Sequence, residues 1–155
     1  MPQKLTTTIS KISNVPNRTN VSIIEEFHRY ERSNGCSEKN QNNNLKAIIA
    51  FANFIGPGVS FYDIRTREQI VCYLDTKINN TEQDPEEKWI TTWNDYLSRI
   101  KLFFRWLTNR PNMKTADTIK SDWNTPDFVQ IRKRNPSAEA PIQRMTSGIV
   151  TSFSR

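Results

Sequence analysis

The sequence predicts an all-α protein, a bundle of four main helices with a short fifth. Three observations support this. Apolar residues recur at three-to-four spacing along four separate segments. Capping residues and Gly or Pro stops bracket those segments. No stretch carries the apolar–polar alternation of a half-buried strand, and there are no internal repeats.

The first helix fits Val21 to Arg32, with Asn20 or Ser22 as cap and Glu25 and Glu26 in its first turns. Ile23, Ile24, Phe27 and Tyr30 line one face, and Asn34-Gly35 stops it. Ser37 is placed to cap a second, longer helix. Its first two turns, Glu38 to Asn44, are entirely polar, while Leu45, Ile48, Ile49, Ala52 and Ile55 follow on one face until Gly56-Pro57-Gly58. Half of this helix is expected to pack and half to project into solvent. Phe61 to Ile64 is a connector, and Thr66 with Gln69 forms a capping box for a third helix to about Ile78. Asn79 to Asp84 is a polar loop.

The fourth helix is expected to start with Asp84 as cap and Pro85 at its first position, with Glu86 and Glu87 at the positive end of the dipole. Trp89, Trp93, Tyr96, Leu97, Ile100, Phe103, Phe104 and Leu107 trace one wide apolar stripe, with Arg99, Lys101 and Arg105 off it. After Asn109-Arg110-Pro111 a polar linker contains Trp123. Thr125-Pro126-Asp127 then opens a short basic helix through Arg134. Periodicity stops at Asn135-Pro136. Residues 1–19 are expected to be a flexible polar tail and residues 135–155 a disordered one, with the fold complete by about Arg134.

Several function classes find no support. No stretch approaches 18 consecutive apolar residues, so no membrane partner is expected. The segment from Met1 to Val15 has no apolar signal-peptide core. Cys36 and Cys72 are too few for a disulfide framework or a structural zinc site and are read as reduced thiols in a cytosolic protein. His28, the one histidine, has no metal-binding partner at a suitable spacing, and its expected role is structural. Glu25-Glu26 and Glu86-Glu87 are adjacent, so neither forms a facing carboxylate dyad. No Gly-rich phosphate loop follows a strand. The expectation is a non-enzyme without metal, cofactor or small-molecule ligand. The net charge of +6 instead favours an anionic partner such as nucleic acid.

The fourth helix, Thr92-x-x-x-x-Leu97-x-x-Ile100-Lys101-x-Phe103-Phe104-x-Trp106-Leu107, resembles the last long helix of the core-binding domain of phage-integrase-type tyrosine recombinases. The second helix, with Ser37, Leu45, Phe51, Phe54 and Ile55, looks like the matching earlier element. Trp123-x-Thr125-Pro126-x-Phe128 with Ile131-Arg132-Lys133-Arg134 is similar to the interdomain stretch of archaeal integrases. The resemblance spans about residues 20–134. It implies a SAM-like helical domain over 20–110, a linker over 111–134, and half of a clamp around double-stranded DNA. Other integrase protomers are a second class of partner that it admits. The family's catalytic domain supplies an arginine, a lysine, a His-x-x-Arg motif and a tyrosine nucleophile. His28-Arg29-Tyr30-Glu31 does not match that motif, and no catalytic residue is assigned. Residues 135–155, back-translated and reread one base over with permitted codon choices, resemble the family's linker and entry into the catalytic domain. The expectation is therefore a frameshifted integrase with an out-of-frame tail.

The candidate DNA contacts are off-stripe polar residues. They are Lys39, Asn40, Asn43, Asn44 and Lys46 on the second helix, Lys88, Thr92, Asn94, Arg99 and Lys101 on the fourth, and the run Arg132, Lys133, Arg134. Two alternatives stand beside this: a helical protein-interaction module binding through exposed aromatics, and a non-functional relic of an integrase.

Overall fold

Short polar side chains decide where most of the helices start. The computed structural model describes residues 4–110 and 123–136. It contains five α-helices: α1 Leu5–Ser10, α2 Arg18–Ser33, α3 Glu38–Ile55, α4 Arg67–Leu74 and α5 Trp89–Asn109. Single 3-10 turns lie at Ile12–Asn14, Phe61–Asp63, Asp75–Lys77 and Asp127–Val129. No strand occurs among the described residues, and the class is all-α.

Ser37 caps α3 by accepting the Asn40 N–H, and Thr66 with Gln69 closes the expected capping box on α4. Gly56, at φ 81°, ends α3 in a backbone conformation that glycine adopts without a Cβ penalty. Asn17, rather than Asn20 or Ser22, caps α2, so the helix begins three residues before its apolar periodicity. Asn20 is instead buried. Its amide donates to the Val59 carbonyl at 3.1 Å and accepts the Phe61 N–H at 2.8 Å, tying α2 to the connector after α3.

The core is largely aromatic and centres on α5. Phe103 meets Phe27 edge-on at 5.2 Å and Phe61 at 4.8 Å, while Phe104 stands against Phe51, Phe61 and Phe128. Trp106, outside the expected stripe, is also buried, against Phe27 and Tyr30. The apolar face of α5 is therefore wider than the three-to-four pattern indicates, because α2 covers a second side of the helix.

Three expectations are corrected. The N-terminal segment is not a tail through residue 19: α1 packs on α3, and Ile12 and Val15 enter the core. Leu5, Ile9 and Ile12 follow helical spacing, a signal hidden among threonines and serines. Helix α5 starts at Trp89, not Pro85. Glu87 has φ 54°, which interrupts the helix, and the Asp84 carboxylate accepts the N–H groups of Lys88 and Trp89 across that turn. The segment from Thr125 to Arg134 is not a helix. After the turn Asp127–Val129 it lies without helical hydrogen bonds on α4 and α5, with Val129 buried and Ile131 and Phe128 packed on the core. Side chains replace the missing ladder: Arg67 donates to the Asp127 carbonyl at 3.0 Å, and Asn94 holds the backbone of Arg134. The first half of the expected 111–134 linker and nearly all of the 135–155 tail, including its reading as an out-of-frame product, lie outside the described residues.

Candidate nucleic-acid interface

The polar half of α3 is divided between solvent and a buried network. Gln41 and Asn44 turn inward, whereas Lys39 and Asn40 are exposed and Asn43 and Lys46 half-exposed. Lys39, Asn43 and Lys46 recur at four and three residues and so share one outward face. Asn44 is 5% exposed: its amide donates to Glu31 Oε2 at 2.6 Å and accepts from Arg99 at 2.8 Å. Arg99 in turn pairs with Asp95 at 2.9 Å. The chain Asp95–Arg99–Asn44–Glu31 thus ties α5, α3 and α2 together at one junction, where burial strengthens the Asn44–Glu31 hydrogen bond. Asn44 and Arg99, expected at the DNA surface, have their polar groups engaged inside the protein.

Beside this junction His28 Nε2 meets Gln41 Oε1 at 3.2 Å, while the Gln41 amide donates to the Cys36 carbonyl at 2.7 Å. Burial lowers the His28 pKa. The Gln41 hydrogen bond opposes that shift, and the charges of Arg32 and Arg29 add to it. Cys36 Sγ lies 3.8 Å from Glu31 Oε2, and neither Cys36 nor Cys72 is in a disulfide. Among the described residues no three His, Cys, Asp or Glu side chains are placed to hold a metal ion. No helix there is long and apolar enough to cross a membrane.

The second polar surface forms where residues 131–134 lie on α5. Asn94 and Lys101, seven residues apart, share one face of the helix. Asn94 Nδ2 donates to the Arg134 carbonyl at 2.9 Å, and Asn94 Oδ1 accepts the Arg134 N–H at 2.8 Å. The Arg134 guanidinium lies over the rings of Trp89 and Trp93 at 5.2 and 5.1 Å and reaches Asp75 at 3.6 Å. Arg132 and Lys133 remain exposed. Burial lowers the pKa of Lys101, and the charges of Lys133 and Arg105 lower it further, so these cations are neighbours. Arg105 was not among the expected contacts. It lies four residues after Lys101, the spacing that places two side chains together on a helix, and it covers Trp123 at 5.8 Å.

Among the described residues Lys39, Lys46, Lys101, Arg132 and Lys133 form no ion pair. Lys88 approaches Glu86 at 3.6 Å, and Thr92 is exposed beside it on the rim of an open polar groove of about 580 Å³. The thirteen expected contacts therefore separate into two unpaired basic surfaces, on α3 and on the seam between α5 and residues 131–134, a group that holds the protein together, and Lys88 with Thr92 at the groove rim. No protein-family model, curated protein or solved structure matches this chain.

Proposed function

We propose that this chain is a duplex-DNA-binding helical domain of the tyrosine-recombinase core-binding type, gripping the phosphate backbone without cutting it. The observation that carries the proposal is the cation set Lys39, Lys46, Lys101, Arg132 and Lys133, none ion-paired among the described residues. Lys46 lies two residues beyond Asn44, and Lys101 two beyond Arg99. Both basic surfaces therefore lie on helices that the junction holds in fixed register, turned away from it by the two-residue offset. Phosphates at these positions would release condensed counterions, and at the seam they would relieve the crowding of Lys101 by Lys133 and Arg105. The resemblance of α3, α5 and the Trp123–Arg134 segment to integrase sequences supports the same role, as does the net charge of +6.

A helical protein-interaction module finds less support. The large apolar side chains exposed among the described residues are Phe54, Tyr62 and Ile78, and the Tyr62 hydroxyl already accepts from Arg110 at 2.7 Å. A titration of the full chain with duplex DNA at several salt concentrations tests the proposal. Affinity near physiological salt is expected on the order of micromolar with slight sequence preference. Five neutralised phosphates would give a log–log salt slope of about −4.5. Salt-independent binding, or none at low salt, overturns it.

A further inference from the structure

Residues 131–134 carry two of the five expected contacts that are cations without an ion pair among the described residues, yet they are held to the bundle by few polar contacts. The principal holding group is uncharged: both amide atoms of Asn94 are taken by the backbone of Arg134, at 2.9 and 2.8 Å. The two bonds fix the amide plane against the strap and leave one Nδ2 hydrogen outside them. The Arg134 guanidinium is likewise occupied, over Trp89 and Trp93 and beside Asp75. Asn94 and Arg134 are therefore anchors, although as sequence they read as DNA contacts. Between the buried Val129 and this anchor, Ile131 packs inward and Arg132 and Lys133 point to solvent.

We infer that Asn94 and Arg134 form a latch that docks residues 131–134 on α5 and so assembles the phosphate-binding seam of Lys101, Arg132 and Lys133. Asn94 acts as a positioning residue for DNA rather than a contact. The inference rests on the DNA-binding proposal above. Its physical basis is pre-organisation. On a docked strap, Arg132 and Lys133 meet the phosphates beside Lys101 without further ordering. On a released strap the same charges must first lose backbone and side-chain freedom. Docking also brings Lys133 toward like charge. DNA should therefore strengthen the latch as the latch strengthens DNA binding, because linkage between the two equilibria is reciprocal.

The test compares variants of the full chain that differ in the latch but not in charge. Asn94→Ala leaves the net charge unchanged. It is expected to weaken DNA binding by about three- to tenfold, the scale on which ordering a few side chains and a short strap acts. Lys133→Ala should weaken binding in the parent chain and have little further effect in the Asn94→Ala background, whereas Lys39→Ala should cost the same in both. Arg134→Ala and Arg132→Ala remove one positive charge each and serve as a second pair should Asn94→Ala fail to fold. The loss from Arg134→Ala should be the larger, although Arg132 is the freer cation. Tryptophan fluorescence reads the latch directly, since the Arg134 guanidinium covers Trp89 and Trp93. Asn94→Ala should change the emission without DNA, and DNA should change it in the parent chain. If the parent chain binds DNA and Asn94→Ala binds equally well, or if Lys133→Ala costs the same in both backgrounds, the latch is overturned. If the parent chain does not bind at low salt, the DNA-binding proposal itself fails and the latch with it.

Discussion

The two halves of α3 are built on different physics. From Leu45 onward Leu45, Ile48, Phe51 and Ala52 are fully buried, and the helix is held by transfer of apolar surface out of water. Before Leu45 the buried side chains are Gln41 and Asn44, held by directed bonds to His28, the Cys36 carbonyl, Glu31 and Arg99. The apolar half can sit wherever the core is filled. The polar half is held by bonds with defined donors and acceptors. Asn44 accepts from Arg99 with its oxygen and donates to Glu31 with its nitrogen, so only one orientation of its amide serves both. The polar half thereby presents Lys39, Asn43 and Lys46 outward in a fixed register, as a binding surface requires.

The largest expected effect lies on the apolar side. Phe103→Ala removes a ring packed against Phe27, Phe61, Phe104 and Trp106, and should lower unfolding free energy by about 3–5 kcal/mol. A shift of the denaturant midpoint with unchanged slope checks it. On the polar side, Asn44→Ala removes the buried bonds to Glu31 and Arg99 and should lower stability by about 1–3 kcal/mol. Lys46→Ala, two residues away on the outward face, should stay within about 0.5 kcal/mol while still weakening DNA binding. Equal stability losses in the two variants would erase the distinction between inward and outward positions.

The smallest expected effect is a pH dependence. Burial depresses the folded-state pKa of His28 below its ordinary value of 6.5. The neutral ring is therefore favoured in the folded state, and the unfolded chain binds the extra proton as pH falls. The stability contribution is complete above pH 6.5 and is lost as pH falls through the lower folded value. The stability of the parent chain relative to His28→Gln, measured by urea unfolding, should decline across that window. A difference that stays constant with pH would mean that burial at the α2–α3 crossing does not restrain the ring.

Much of this architecture is legible in the sequence alone. The Ser37 cap, the Thr66–Gln69 box, the Gly56 stop and the aromatic stripe of α5 are local signals, and each appears where residue type and spacing place it. Four of the differences share one cause. Asn44, Asn94, Arg99 and Arg134 are polar residues off an apolar stripe, and position on a helix cannot separate a solvated residue from one bonded to another element. Leu5 and Ile9 are obscured by the polar residues between them, and Arg105 by its nearness to the stripe.

By itself the sequence determined the all-α class, four of the helices and the excess of positive charge, because periodicity, capping and composition act over a few residues. Tertiary structure alone decided which polar side chains serve the fold and which remain open to a ligand. That depends on partners far along the chain, 55 residues away for Arg99 and Asn44 and 40 away for Asn94 and Arg134. A buried polar group must find its partner wherever the chain brings one, and no local pattern encodes that distance.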